Sequence, residues 1–293
     1  MSSAPLSDPP ATNNGSAALV VPDPWSALRA HTPANIAIGR VGHSLPTREV
    51  LRFGLAHAQA RDAVHVALDS ARLACDLGAA GCSSVTVHSA AADGGPAARQ
   101  TYLCRPDLGR RLSAASARQL DALAAASSAA PELCVVIGDG LSAVAVQNHA
   151  VPLLQALRAR WRDAGRAWLM PPVVIATQAR VALGDEIAER LRARMVLVLI
   201  GERPGLSSPD SLGIYATWSP RVGRSDAERN CISNVRAEGL SYAAAAFKLA
   251  WLIEQAFRRA LTGVALKDES DLVAINATSA LSGEWLAPPR AAQ

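Results

Sequence analysis

One feature constrains this chain more than any other. It is a continuous apolar run, Met195-Val196-Leu197-Val198-Leu199-Ile200, that breaks off into Gly201-Glu202-Arg203-Pro204-Gly205. Six apolar residues in succession leave no polar face, so the segment has to be covered on both sides, as a central strand in a sheet flanked by helices. Its abrupt end in turn-forming, charged residues marks a loop that is free to carry function. In open α/β sheets ligands bind at such carboxyl ends, because helices already occupy the two faces.

The remaining text supports that class. At 293 residues the chain can bury one large or two modest cores. Half of it is hydrophobic and only 4% is aromatic, with much of the apolar content alanine, which favours helices. The charge excess is +4, but it is interspersed rather than gathered into a basic stripe with aromatic partners, which argues against nucleic acid as a partner. No apolar run approaches the roughly 20 residues of a membrane span, and the start lacks the basic-then-apolar order of a signal peptide. An intracellular protein is expected. Five cysteines (Cys75, Cys82, Cys104, Cys134, Cys231), without a C-x-x-C pair, speak against a disulfide framework or a structural zinc site.

In chain order, residues 1–30 are expected to form a flexible N-terminal tail, since 1–23 is rich in Ser, Pro, Ala and Asn without periodicity. Residues 31–130 read as a mainly helical region. Its first helix, 44–68, follows from apolar residues at Val50, Leu51, Leu55, Ala58, Val64 and Leu68. Arg40, Arg48 and Arg52 flank its start and read as solvated surface arginines. Residues 83–88 make a possible strand, and 112–126 an alanine-rich helix. From 131 to 270 strands and helices alternate: 134–137, 173–176, 195–200 and 212–218 as strands, with 141–165, 185–194 and 240–261 as helices. That rhythm predicts a parallel, doubly wound, Rossmann-like sheet. Residues 271–293 form a C-terminal extension.

The common catalytic signatures are missing. There is no G-x-G-x-x-G and no P-loop, and in GDGLS (138–142) the serine falls two places late for a nucleophile elbow. The six histidines form no ligand cluster. What remains is a set of strand-end loops, GDG at 138–140, QARV at 178–181, GERPG at 201–205 and NCISN at 230–234. Together they suit a large polar ligand held by backbone amides and side chains such as Asp139, Glu202 and Asn230. Plain structural readings stand beside these, with Asp139 as a helix N-cap, Glu202 as the partner of Arg203 and Cys231 as a core residue.

GERPGLSSPDSLGIY followed by ERNCISN, with RPDLGRR at 105–111, VVIGDGLSA at 135–143 and LPTREVLRF at 45–53, resembles the small subunit of ethanolamine ammonia-lyase. The resemblance runs from about residue 40 to 270. It implies an adenosylcobalamin-dependent lyase converting ethanolamine to acetaldehyde and ammonia. In this arrangement a large TIM-barrel subunit holds the substrate and the small subunit covers the cobalamin at the interface of a hetero-oligomer. It further implies cobalamin contacts at Val181, Glu202 and Cys231, no substrate-directed catalytic group on this chain, and a bacterial cytoplasmic location or one within a bacterial microcompartment. The D-x-H-x-x-G signature of base-off cobalamin proteins is absent, as the family's base-on binding requires. One departure is the polar, proline-bearing N-terminus, where some relatives carry an amphipathic packaging helix. The competing expectation is a stand-alone α/β ligand-binding or regulatory module.

Overall fold

The structure, a computed structural model, describes residues 23–32 and 34–272. Most of the tail expected at 1–30 and nearly all of the extension expected at 271–293 lie outside the described residues. The chain divides into two units, one ending at His57 and the other beginning at Ala58.

The helices are α1 (Thr47–His65), α2 (Ser70–Ala79), α3 (Ala98–Cys104), α4 (Ala114–Ala126), α5 (Ala143–Asp163), α6 (Leu183–Arg190) and α7 (Tyr242–Arg259). The strands are β1 (Ser84–His88), β2 (Leu133–Gly138), β3 (Val173–Thr177), β4 (Met195–Gly201), β5 (Leu212–Trp218) and β6 (Arg229–Val235). They form one sheet in the order β1-β3-β2-β4-β5-β6. Every residue of β2 and β4 is buried, as their unbroken apolar text requires. Along β4 the side chains alternate. Met195, Leu197 and Leu199 join one core cluster with α2, α5 and α7, and Val196, Val198 and Ile200 join a second with α4 and α6. The helix ends follow from local chemistry. Ser142 accepts from the Ala145 amide at 3.2 Å to start α5, and Arg160 and Arg162 sit at its carboxyl end, where cations favour the helix dipole.

The expectation of a wholly parallel sheet is corrected here. β1, β3, β2 and β4 run parallel, but β5 is antiparallel to β4 and β6 antiparallel to β5, so the sheet is mixed. The reason lies in the connections. Only ten residues, 202–211, separate β4 from β5, and they hold no helix, whereas a parallel crossover takes about a dozen residues or more. The NCISN segment, expected as a loop, lies inside β6.

Candidate functional site

Three of the singled-out loops leave the carboxyl ends of the adjacent parallel strands β2, β3 and β4 and are fastened to one another. Gly140 has φ of 56°, and a Cβ there would run into the backbone of Gly201; the Leu141 amide donates to the Gly201 carbonyl at 3.0 Å. Asp139, only 2% exposed, accepts from the backbone amides of Gln178 at 3.0 Å and Ala179 at 2.9 Å and from Arg99 Nη1 at 3.4 Å. Burial pushes its carboxyl above the usual range, against the pull of those donors. Asp139 therefore ties the β2 loop to the β3 loop. It is not the N-cap of α5, a role taken by Ser142. Asn230 is likewise committed to the fold, since its amide donates to the Leu266 carbonyl at 2.7 Å and accepts from the Gly263 amide at 2.9 Å.

The three residues expected to contact a cofactor have a different setting. Val181 is half-buried in the turn just ahead of α6. Glu202, also half-buried, follows β4; its Oε2 accepts from the Ser211 hydroxyl and, at 3.3 Å, from the Asn234 amide. No group among the described residues donates to its Oε1, and no ion pair joins it to Arg203 there. Its carboxylate lies across Gly213 of β5, where a Cβ would come within 2.9 Å of Oε1. Cys231 is exposed on β6, directly opposite Tyr215 of β5, with its Sγ 3.3 Å from the Ser233 hydroxyl. It is not a core residue.

These side chains share a setting through the pleat of the sheet. Tyr215 and Val181 pack against the second core cluster, and Cys231 stands beside Tyr215, on that same face. On this face α6 packs against β2 and β4, and α4 packs against α6. Over β5 and β6 the helices α5 and α7 pack on the opposite face, with the first core cluster. Among the described residues, no helix packs over the patch holding Tyr215, Cys231 and Ser233. At its border a cavity of about 240 Å³ opens between Val181, Tyr215, Arg110, Arg180 and the turn Arg224 to Asp226. Beyond Gly213, β6 carries one extra residue: Leu212 pairs with Val235, but Ile214 pairs with Ile232. This bulge, with Asn234 at φ 61°, aims the Asn234 amide at Glu202. Val181 and Tyr215 share the cavity, Cys231 adjoins Tyr215, and Glu202 lies at the end of β5; no hydrogen bond joins the three expected residues to one another.

Sequence reasoning missed Tyr215, Arg110 and Arg180. The phenol of Tyr215 is pushed up by burial, with the neighbouring Cys231 thiol adding to the shift. A usable signal was present for the arginines, since RPDLGRR and QARV both place a basic residue beside a turn. A larger cavity, about 840 Å³, lies elsewhere, lined by Arg158, Trp161, Arg166 and Trp168, and holds none of the expected residues.

The family model described as ethanolamine ammonia-lyase light chain (EutC) matches residues 22–267. Three relatives, each named ethanolamine ammonia-lyase small subunit, are similar over most of their length. The one from Xanthomonas campestris pv. campestris is 57% identical over 249 residues, 85% of this chain and 89% of the relative. That from Pseudomonas paraeruginosa is 54% identical over 264 residues, 90% of this chain and 94% of the relative. That from Ralstonia nicotianae is 54% identical over 260 residues, covering 89% and 94%. The family match takes in every strand-end loop described above and the whole of β5 and β6.

Proposed function

Because this chain belongs to the ethanolamine ammonia-lyase light chain family, we propose that it works as the small subunit of a carbon–nitrogen lyase, holding adenosylcobalamin against a large TIM-barrel subunit. The reaction is the conversion of ethanolamine to acetaldehyde and ammonia, with the substrate bound on the large subunit and no catalytic group supplied by this chain. The observation that supports this reading is the sheet face over β5 and β6, which has a core behind it and, among the described residues, no helix packed in front. A folded chain that leaves sheet surface bare beside a tyrosine and a thiol has a surface suited to a broad, flat partner.

The residues present fit the group. Cobalamin is a macrocycle fringed with amides, and Glu202 Oε1 is an acceptor held in place through Oε2. Val181 offers an apolar contact, and Cys231 a small, polarizable one. When bound, the cofactor supplies the hard step, homolysis of its cobalt–carbon bond to a radical. The protein residues bind and orient the macrocycle and, with the large subunit, exclude water and competing reactions. A bacterial cytoplasmic location, free or within a microcompartment, goes with this reading; no helix among the described residues is long and apolar enough to cross a membrane.

The test is co-expression with a large subunit, purification, and an ultraviolet-visible spectrum on adding adenosylcobalamin and ethanolamine. Co-purification, a cob(II)alamin signal and acetaldehyde formation are expected. In that complex Glu202→Ala weakens cobalamin binding by about 1 to 3 kcal/mol, because truncation strands the amide it served. A chain that purifies alone and leaves the cofactor spectrum unchanged would mean a separate ligand-binding module.

A further inference from the structure

The cavity beside Val181 carries more positive charge than it balances. Among the charged groups around it, Arg224 pairs with Glu228, and Asp226 shares Arg229 with Asp185, whereas Arg110 and Arg180 have no carboxylate within ion-pair distance among the described residues, which leaves an excess of one positive charge. Arg180 Nε is moreover buried without a hydrogen-bond partner there. The two arginines are fixed to one another through their backbones. The Arg180 amide donates to the Gly109 carbonyl at 2.8 Å, and the Arg180 guanidinium stacks on Tyr102 with 4.4 Å to the ring centroid. Arginine forks held this way, unneutralised and at the edge of a notch, match the paired oxygens of a phosphate. At about 240 Å³, the notch is smaller than the roughly 300–1,000 Å³ of pockets that enclose a whole ligand. It suits one group on the periphery of something larger.

We propose that the notch between Arg110 and Arg180 seats a phosphodiester, and that its source is the nucleotide loop of the cobalamin. This rests on the reading that the chain binds that cofactor. The amides around the corrin are neutral, and the phosphodiester joining the corrin side chain to its base carries the negative charge. Val181 lines the notch and is also one of the proposed cofactor contacts, so the anion site adjoins the same face. The two arginines thereby distinguish a complete cobalamin from a corrinoid that lacks the loop.

The experiment compares equilibrium binding of adenosylcobalamin and of adenosylcobinamide, which ends before the phosphate, to the complex of both subunits. Arg110→Gln, on an exposed residue, tests the charge without threatening the fold, and Arg180→Gln and Arg180→Lys test the half-buried fork. The expected result is a loss of adenosylcobalamin affinity of about tenfold or more in each glutamine variant, with adenosylcobinamide unaffected and Arg180→Lys intermediate. Equal weakening of both corrinoids, or of neither, overturns the assignment while leaving the cofactor reading intact. A wild-type complex that binds neither corrinoid overturns the cofactor reading and this one with it. Inorganic phosphate that still binds the cobalamin-loaded complex at these arginines identifies a free phosphate as the occupant, and also overturns it.

Discussion

Glu202 owes its position to a glycine one strand away. A side chain at position 213 would press on Glu202 Oε1 and push the carboxylate away from its place across β5, where Oε2 accepts from the Ser211 hydroxyl and the Asn234 amide. Such a dependence cannot be read from GERPG alone, because it links residues brought together by an antiparallel pairing that the sequence pattern did not reveal. The cysteines divide by burial. Burial in β2 pushes the Cys134 thiol up to about 12, as its apolar run suggests, while Cys231, in the polar NCISN text, stands exposed on β6. Thiol labelling at pH 8 is therefore expected to modify Cys75, Cys104 and Cys231 and to spare Cys134 until the chain unfolds, since the thiolate is the reactive form. On assembly with the large subunit and cobalamin, labelling of Cys231 slows relative to Cys75, as peptide mapping by mass spectrometry would read out. An unchanged ratio would remove Cys231 from the proposed interface.

Among elements, β2, β3 and β4 were legible because short continuous apolar runs bounded by turn residues suit strands buried on both faces, and these strands appear where those runs lie; β1, with alternating Ser84-Val85-Thr86-Val87-His88, read only as a possible strand. β6 was not legible. Arg229-Asn230-Cys231-Ile232-Ser233-Asn234-Val235 is polar at most positions, and its burial is supplied from outside the segment. Arg229 is held in the interior chiefly by Asp185, at the start of α6, to which it donates two hydrogen bonds of 2.7 and 2.6 Å, with further bonds to the Thr217 hydroxyl and the Arg224 carbonyl; the Arg229 and Asp185 side chains are each 1% exposed. The pair fastens β6 to a helix 44 residues earlier in the chain. Removing one member strands a buried charge, so Asp185→Ala is expected to lower stability by about 3 to 5 kcal/mol in urea unfolding. The double variant Asp185→Leu with Arg229→Met is expected to lose less, because it leaves neither charge unpaired. A single variant as stable as the wild type would mean that β6 is held by its strand pairing alone.

At the scale of the molecule, the first unit has no core of its own among its described residues. Among its described residues only Pro46 and Glu49 are buried, the latter within 3.4–3.6 Å of Arg29, Arg48 and Arg52. Arg48 and Arg52, expected as free surface groups, are exposed but share this carboxylate. Trp25, Leu45, Leu51, Phe53 and Leu55 are all more than half exposed. Each would gain about 1.5 to 3 kcal/mol if fully buried, and a row of them is unusual on a protein that works alone. The isolated chain is accordingly expected to self-associate and to bind a hydrophobic dye, and the complex with the large subunit to do neither; sedimentation and dye fluorescence distinguish the two. A monomeric, dye-silent chain would contradict a shared interface at this unit. The bulge in β6 bears on the same vulnerability from the other end of the chain. A last strand with unpaired backbone groups is a template for joining another molecule edge to edge, but the extra residue and the left-handed turn at Asn234 bend β6 out of any flat, continuous register. The irregularity that aims an amide at Glu202 thus also blunts the sheet edge against polymerisation.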